Sequence, residues 1–357
     1  MKKSLIALAC LTAFSGITQA ASVKVYGRLD AGLTSISGVG DNDQTLTGLA
    51  YGPLSSSRWG VKGNENLGGG YKAFFGIESE VHNDTGLSGG NNKTGSGAGS
   101  VYWKRKSIIG MNTPVGKFTF GLNKTIDKVL ASKYDMVGSN FAGFKTMSDY
   151  IAIGDRIDNA IFYESPKLGT GGKLYFERMF GEVAGESEAN TRTGIAATFK
   201  FGDAQAFIAY SEAKGALGAD DWDQYGFGVQ FKTPQKIVLK AQYWDLSNDT
   251  AADTSGLGFS ADGEGYSISA MGPISKHTKI GLGYHHSEQT ENSAEKISMT
   301  QLAVLHSFSK KITGYAMVGT LDNGSGANHE LHKKGFSSQA GNGVDQDGFT
   351  IGMRVKF

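Results

Sequence analysis

The sequence predicts an all-β protein, a transmembrane antiparallel β-barrel of sixteen strands. Apolar and polar residues alternate with a period of two from one end of the chain to the other, as in strands with two different faces. Short and long connections alternate strictly between these segments. No stretch after residue 20 approaches the roughly eighteen apolar residues of a membrane-spanning helix. If the chain enters a membrane, it must therefore do so as a closed barrel.

The first twenty residues have the three-part layout of a secretory signal peptide. Lys2 and Lys3 precede an apolar run from Leu5 to Ile17, and a small residue, Ala20, ends the segment. We therefore predict that residues 1–20 are removed after export of the chain.

The composition of the remaining chain excludes several classes of protein. Cys10 is the only cysteine, so residues 21–357 contain neither a disulfide scaffold nor a thiolate metal site. Without Lys2 and Lys3, 33 of the 35 basic residues remain against 34 acidic ones, and this balance gives no sign of a nucleic-acid partner. We expect one barrel domain over residues 21–357.

The alternating segments are each about as long as a tilted strand that crosses a bilayer. In the first segment, Val23, Val25 and Leu29 share one face, opposite Lys24 and Arg28. The last segment ends at residue 357. The other fourteen begin near Ser56, Tyr71, Val101, Lys117, Arg156, Lys173, Thr191, Ala204, Trp222, Lys236, Gly265, Lys279, Lys296 and Ile312.

The connections predict how the barrel is arranged. Seven are short, at 66–70, 113–116, 166–172, 202–203, 233–235, 273–277 and 309–311. Eight are longer and polar, at 38–54, 83–100, 125–155, 182–190, 213–221, 247–263, 287–295 and 322–346. Strict alternation places all short turns on one rim and all long loops on the other, as in outer-membrane barrels. Sixteen strands leave an aqueous channel, whereas eight are filled by their own side chains.

Four stretches and the last residue resemble the general trimeric porins of Gram-negative bacteria, most closely those of β-proteobacteria. The stretches are 25–32 (VYGRLDAG), 57–68 (SRWGVKGNENLG), 156–159 (RIDN) and 163–166 (YESP), and the chain ends at Phe357. The resemblance covers essentially the whole chain after residue 20. It implies an outer-membrane diffusion channel for ions and small hydrophilic solutes.

The same resemblance implies several partners, and the chain departs from the family's pattern at one place. A porin of this kind forms a homotrimer, contacts outer-membrane lipid and lipopolysaccharide, and is inserted by the outer-membrane assembly machinery. Its third external loop folds into the lumen opposite basic wall residues. Members of the group often carry Gly-Arg-Gln at the end of the fifth strand, where this chain has Gly121-Leu122-Asn123-Lys124. Lys124 replaces the charge of that arginine but lacks its planar fork.

Loop 125–155 is the best candidate for a constriction. It is long, and it contains more apolar and aromatic residues than a solvated loop can use. We expect it to pack against the inner wall and to narrow the channel. The alternative is an external lid on the barrel rim or on a neighbouring subunit.

Charged residues of opposite sign are expected on the two sides of this constriction. A ring of charge selects ions by sign. The alternative is that these are ordinary solvated wall charges. The basic candidates, taken mainly from strand alternation, are Arg28, Arg58, Lys62, Lys104, Lys106 and Lys124. The acidic candidates on the loop are Asp127, Asp135, Asp149 and Asp155.

The sequence gives no support for an enzyme, a metal site or a cofactor. His285 and His286 are adjacent on a predicted strand, so their side chains point to opposite faces and cannot chelate one metal. The glycine pairs at 226–228 and 281–283 lie inside strands, where they cannot form a dinucleotide-binding turn. The alternatives to a general channel are a substrate-specific channel or an adhesin that uses the loops of the same barrel.

The end of the chain is predicted to be an assembly signal. Alternate residues of the last segment are apolar and share a face, and the last residue is aromatic, like the terminal signal that the insertion machinery reads. These residues are Phe349, Ile351, Met353, Val355 and Phe357.

Overall fold

The computed structural model shows a closed antiparallel β-barrel, so the predicted fold class is confirmed. It describes residues 19–91, 100–147, 154–215, 221–248, 262–290, 292, 294–332, 334 and 336–357. The barrel closes because the first and last strands pair, in a register that runs from Arg28 opposite Lys356 to Ile36 opposite Gly348.

Sixteen strands, numbered β1–β16 in chain order, form the wall. Each pairs with its neighbour along the chain. Two of them, β2 and β6, consist of two segments each. The strands span Gln19–Val39 (β1), Gln44–Tyr51 and Arg58–Gly68 (β2), Tyr71–His82 (β3), Lys106–Thr113 (β4), Gly116–Lys124 (β5), Arg156–Ile157 and Ala160–Glu164 (β6), Lys173–Met179 (β7), Arg192–Phe201 (β8), Ala204–Lys214 (β9), Asp221–Lys232 (β10), Val238–Asn248 (β11), Gly263–Pro273 (β12), Thr278–Gln289 (β13), Lys296–Ser307 (β14), Ile312–Asn323 (β15) and Gln346–Lys356 (β16).

All seven predicted short turns connect strands at one rim. Glycines with positive φ allow the tightest of them, for example Gly69 (φ 59°) and Gly202 (φ 56°). The first long connection differs from the prediction at 38–54, because residues 44–51 pair with the upper half of β1 as a hairpin. The fourth strand begins at Lys106 instead of Val101, because residues 102–105 form a turn.

The two faces of the wall have opposite character. Side chains such as Val25 (63% exposed), Ile208 (56%) and Ile351 (60%) form an apolar outer surface. A water-soluble barrel would bury such residues, whereas a membrane barrel presents them to lipid. Their neighbours along the strands, such as Phe207, point inward and are buried. The inside of the barrel therefore contains the protein's packed core as well as its channel.

Two helical segments lie in the third long loop. Helix α1 spans Ile126–Tyr134, and a 3-10 helix spans Phe144–Met147. Within the described residues, no helix is long and apolar enough to cross a membrane. Both helical segments contact barrel strands, α1 along β7–β11 and the 3-10 helix along β13.

Candidate functional site

The third long loop lies on the inner wall of the barrel. Helix α1 begins after Thr125, whose side-chain oxygen accepts a hydrogen bond from the first turn at 3.1 Å. At the other end of α1, the ring of Tyr134 packs against that of Phe207 on β9, with centroids 4.6 Å apart. Ile208, next to Phe207, points outward to the lipid side. The described part of the loop, residues 125–147 and 154–155, therefore lies inside the lumen and does not form an external lid.

Polar side chains of the wall bind the loop backbone and side chains. Gln242 on β11 donates a hydrogen bond to the Ala131 carbonyl at 3.2 Å. Gln301 on β14 donates to the Ser139 hydroxyl at 2.8 Å. Inward polar residues on strands at different positions around the barrel thus fix the course of the loop, so that it does not move freely in the lumen.

The tip of the loop contacts two further segments. The Asn140 side chain donates to the Gly52 carbonyl at 2.5 Å, and its backbone N–H donates to the Pro53 carbonyl at 2.9 Å. Ala142 N–H donates to the Leu331 carbonyl of the last long loop at 2.8 Å. The third loop therefore reaches the break within β2 and meets the last loop there. These described segments occupy part of the lumen, and the passage beside them is called the neck below.

Arginines of β1 and β2 face the lumen beside this neck. Arg28 and Arg58 lie directly opposite each other and point inward. The Arg58 Nη1 atom is 3.3 Å from Glu78 Oε1, whereas Arg28 makes no ion pair within 4.0 Å with the described part of the chain. Lys62 lies further toward the short-turn rim, and its Nζ atom is 4.7 Å from the centre of the Tyr26 ring.

Two carboxylates on β3 organise a second group of basic residues. Arg105 is buried and binds both, with Nε 2.9 Å from Glu78 and Nη1 3.5 Å from Glu80. Lys104 and Lys334 lie 3.1 Å and 3.4 Å from Glu80 oxygens. Lys104 is therefore close to the channel, but it lies in the turn before β4 and not on the strand.

Sequence reasoning missed Arg105 and Lys334 as parts of this group. Arg105 lies in a turn, where strand alternation gives no direction for a side chain. Lys334 is distant in sequence and comes from the last long loop. One signal was present, since Glu78 and Glu80 are two apart on a strand and must share a face. Two carboxylates facing the lumen predict basic partners without identifying them.

The remaining basic candidates also lie near carboxylates. Lys106 is directly opposite Glu78 in the register of β3 and β4. Lys124 is directly opposite Arg156, where β5 meets the first segment of β6. Lys124 and Arg156 both interact electrostatically with Asp155. The structure therefore brings five predicted basic residues to one side of the neck, and leaves Lys62 nearer the mouth.

Two of the acidic candidates face the wall and not the open lumen. Asp127 (1% exposed) forms a buried ion pair with Arg192 of β8. Asp135 (0% exposed) lies 4.0 Å from the Nε2 atom of His285. Asp127 binds Arg192 of the wall and Asp135 lies against His285 of the wall, and this corrects the expectation that both aspartates oppose the basic residues across the neck. Asp149 lies outside the described residues.

Asp155 is the loop carboxylate that opens to the lumen, with 49% of its side chain exposed. It pairs with Arg156, and Lys128 Nζ lies 3.8 Å away. Desolvation raises the pKa of Asp155, but the positive charges of Arg156, Lys128, Lys334 and Lys124 outweigh it and hold the pKa well below its usual range. Asp155 is therefore ionised at any physiological pH.

The residues of the predicted assembly signal all lie on β16 or directly after it. Four of them are exposed on the outer face, and Val355 is half-buried. Their exposed fractions are 42% for Phe349, 60% for Ile351, 51% for Met353 and 53% for Phe357.

The adjacent histidines point to opposite faces of β13. His285 is buried inside and shares a hydrogen bond with Ser267 at 2.8 Å, whereas His286 shares one with Ser298 at 2.9 Å on the other face. Across the described residues, no group of three His, Cys, Asp or Glu side chains is placed to hold a metal ion.

A sixteen-stranded barrel with an apolar outer surface and a charged neck has the architecture of an outer-membrane diffusion channel. Comparison with known proteins agrees with this class. The family described as Gram-negative porin matches residues 7–326. The chain belongs to this family.

Relatives and solved structures cover nearly the full barrel. Outer membrane porin protein 32 of Delftia acidovorans is 27% identical over 376 residues, which is 100% of each chain. The anion-selective porin from Comamonas acidovorans has a TM-score of 0.80 at 23% identity, over 95% of this chain and 100% of its own. The trimer form of OmpT from Vibrio cholerae has a TM-score of 0.68 at 18% identity, over 95% and 100%.

The family and the architecture together establish the general function. The protein is an outer-membrane channel, not an enzyme, and it allows passive diffusion of ions and small hydrophilic solutes.

Proposed function

We propose that this porin is a homotrimeric diffusion channel with a mild preference for anions. One observation carries the preference: basic residues outnumber the carboxylates with which they interact around the neck. Nine basic side chains interact with one or more of three carboxylates, Glu78, Glu80 and Asp155. These neck cations are Arg28, Arg58, Lys104, Arg105, Lys106, Lys124, Lys128, Arg156 and Lys334.

The carboxylates neutralise only part of this charge. Glu78 and Glu80 are buried among basic side chains of the wall, of a turn and of the last long loop, so their negative charge is taken up within this cluster. Arg28, opposite the paired Arg58, makes no ion pair within 4.0 Å with the described part of the chain. A fixed excess of positive charge in a narrow aqueous neck raises the local concentration of anions. Salt limits the preference, because the Debye length is about 8 Å at physiological ionic strength.

The test is to replace Arg28 and Arg58 together by glutamine. In a planar bilayer with a salt gradient, the zero-current potential should shift toward cations, with the anion-to-cation permeability ratio falling roughly two-fold and further at low salt, where screening is weaker. Arginine stays charged in proteins, so the effect should not depend on pH between about 5 and 8. The matched control replaces two exposed lysines outside the neck, Lys200→Gln with Lys232→Gln, which also removes two charges.

A normal conductance with no shift at low salt would show that these arginines are neutralised wall residues, and the anion preference would be withdrawn. An equal shift in the control would attribute selectivity to the overall charge and not to the neck.

Two observations support the trimer. The sequence resembles trimeric porins along its whole length after residue 20, and OmpT of Vibrio cholerae, which has the same fold, is described in a trimer form.

A further inference from the structure

We propose that Arg192 is a positioning residue of the pore. It ties the root of the third loop, meaning its two ends at residues 125–127 and 154, to the barrel wall, and it thereby holds the neck at its width. The proposal rests on the channel function of the family and does not depend on the anion preference. It assigns a role to a buried charged group that lies outside the neck cations.

The two ends of the loop meet at this arginine. At its start, Thr125 caps helix α1, and its hydroxyl donates a hydrogen bond to the carbonyl of Gly154 at the loop's end. A Cβ atom built on Gly154 would lie 3.5 Å from the Nη1 atom of Arg192. The guanidinium group is therefore next to both ends of the loop.

Arg192 also binds two carboxylates, one in the loop and one in the barrel wall. Its Nη2 group pairs with Asp127 in the first turn of α1, and its Nε group lies 3.1 Å from Glu177 of β7. Ser211 of β9 donates a second hydrogen bond to Asp127. The backbone N–H of Ile126, at the start of α1, donates to Glu177 at 2.7 Å. The cluster of Arg192, Asp127, Glu177 and Ser211 thus joins the start of the loop to β7, β8 and β9.

The burial of the cluster makes this tie strong. Arg192, Asp127 and Glu177 are 2%, 1% and 0% exposed, and the Trp222 ring covers the guanidinium at 4.9 Å. A buried charge that loses its partner is strongly destabilised, and two carboxylates here share one cation. Loss of the guanidinium would shift the equilibrium between the docked and undocked loop by a factor on the order of 10² or more.

The tie acts on the neck because the neck residues follow it directly in the chain. Lys128 is next to Asp127, and Asp155 is next to Gly154. Lys128 and Asp155 lie 3.8 Å apart at the lumen. If the root undocks, the one exposed carboxylate of the described part of the loop and its basic partner lose their fixed position.

The experiment compares single channels of Arg192→Met, Asp127→Asn and a matched control. Arg192→Met removes the tie. Asp127→Asn cuts only the charge link to the loop and keeps the wall pair of Arg192 with Glu177. Arg178→Met is the control, because Arg178 lies one position from Glu177 on β7 and pairs with Glu188 at 2.9 Å, on the opposite face of the strand from the loop.

Both loop-root variants should form folded barrels whose open-channel current fluctuates between levels, with the variance raised roughly two-fold or more over the unmodified protein. The control should keep a steady level. The amount of heat-modifiable barrel separates this effect from a general loss of stability, and Asp127→Asn keeps the test valid if Arg192→Met fails to fold. Steady, unmodified conductance in folded Asp127→Asn channels, or equal fluctuations in Arg178→Met, would overturn the proposal.

Discussion

At the scale of single residues, the barrel contains three kinds of charged or titratable group. Arg28 points into the lumen and makes no ion pair within 4.0 Å with the described part of the chain. Arg105 and Arg192 are buried in ion pairs, where their charge holds segments together. His329, in the last long loop, is a third case: it is buried without being charged. Residue type alone does not separate these roles, because burial decides whether a charge faces solute or protein.

His329 should make the last loop sensitive to acid. Burial lowers the pKa of His329 from 6.5 to about 4. The folded loop therefore keeps this histidine neutral, and the stability it contributes is complete above about pH 6.5 and is lost as the pH falls toward 4. The loss amounts to about 3 kcal/mol in local stability. Hydrogen exchange of residues 324–332, corrected for intrinsic rates, should become faster at pH 4.5 than at pH 7.

The variant His329→Gln separates the contribution of His329 to the acid response from that of its neighbour Glu330. Burial raises the pKa of Glu330, so protonation of Glu330 stabilises the folded loop and opposes the effect. In His329→Gln the acceleration by acid should disappear. Equal acceleration in the variant and the unmodified protein would assign the acid response to other groups.

At the scale of elements, the residue after the last strand, Phe357, contributes to the closure of the barrel. Phe357 exchanges two backbone hydrogen bonds with Gly27 of β1, at 3.1 Å and 3.2 Å. Its ring occupies the space beside Gly27, since a Cβ atom there would lie 2.5 Å from the ring. Position 27 therefore requires glycine, because the ring of Phe357 leaves no room for a side chain there. The seam between first and last strands ends at this contact.

Deletion of Phe357 should lower the amount of folded barrel in the outer membrane several-fold. The deletion removes both the seam contact and the aromatic end of the predicted assembly signal. The measurement is the heat-modifiable form on gels of outer-membrane fractions, with Phe357→Tyr as the control that keeps an aromatic ring. Unchanged levels of the heat-modifiable form after deletion would contradict the prediction.

At the scale of the whole molecule, part of the interior of the barrel is closely packed. The third loop, the break in β2 and the last loop meet inside the barrel, and Phe141, Phe144 and Leu331 are fully buried there. A wall that has its own packed interior does not need a neighbouring subunit to fill the lumen.

The proposed trimer should resist mild detergent. Cross-linking or native mass measurement of the protein extracted in gentle detergent should give three copies, and heating should convert them to single chains. The unmodified protein heated before analysis is the control. Only single chains in every gentle detergent would refute the trimer, and would leave the channel function of each barrel intact.

The sequence by itself determined the barrel. Alternation at a period of two and the pattern of short and long connections depend only on neighbours in the chain, so they predicted sixteen strands, the rims and the inward direction of Arg28 and Arg58. It also indicated that loop 125–155 packs inside, because that loop is too apolar for water.

The tertiary structure alone decided which charges meet. Arg105 and Lys334 join Glu80 from a turn and a distant loop, where no period fixes the side-chain direction. Asp127 was expected in the lumen and is buried on Arg192, since the side on which α1 packs depends on the wall it meets. Ion pairs between residues far apart in the chain are set by the closed barrel, because local patterns fix the face of a strand and only closure fixes what lies across from it.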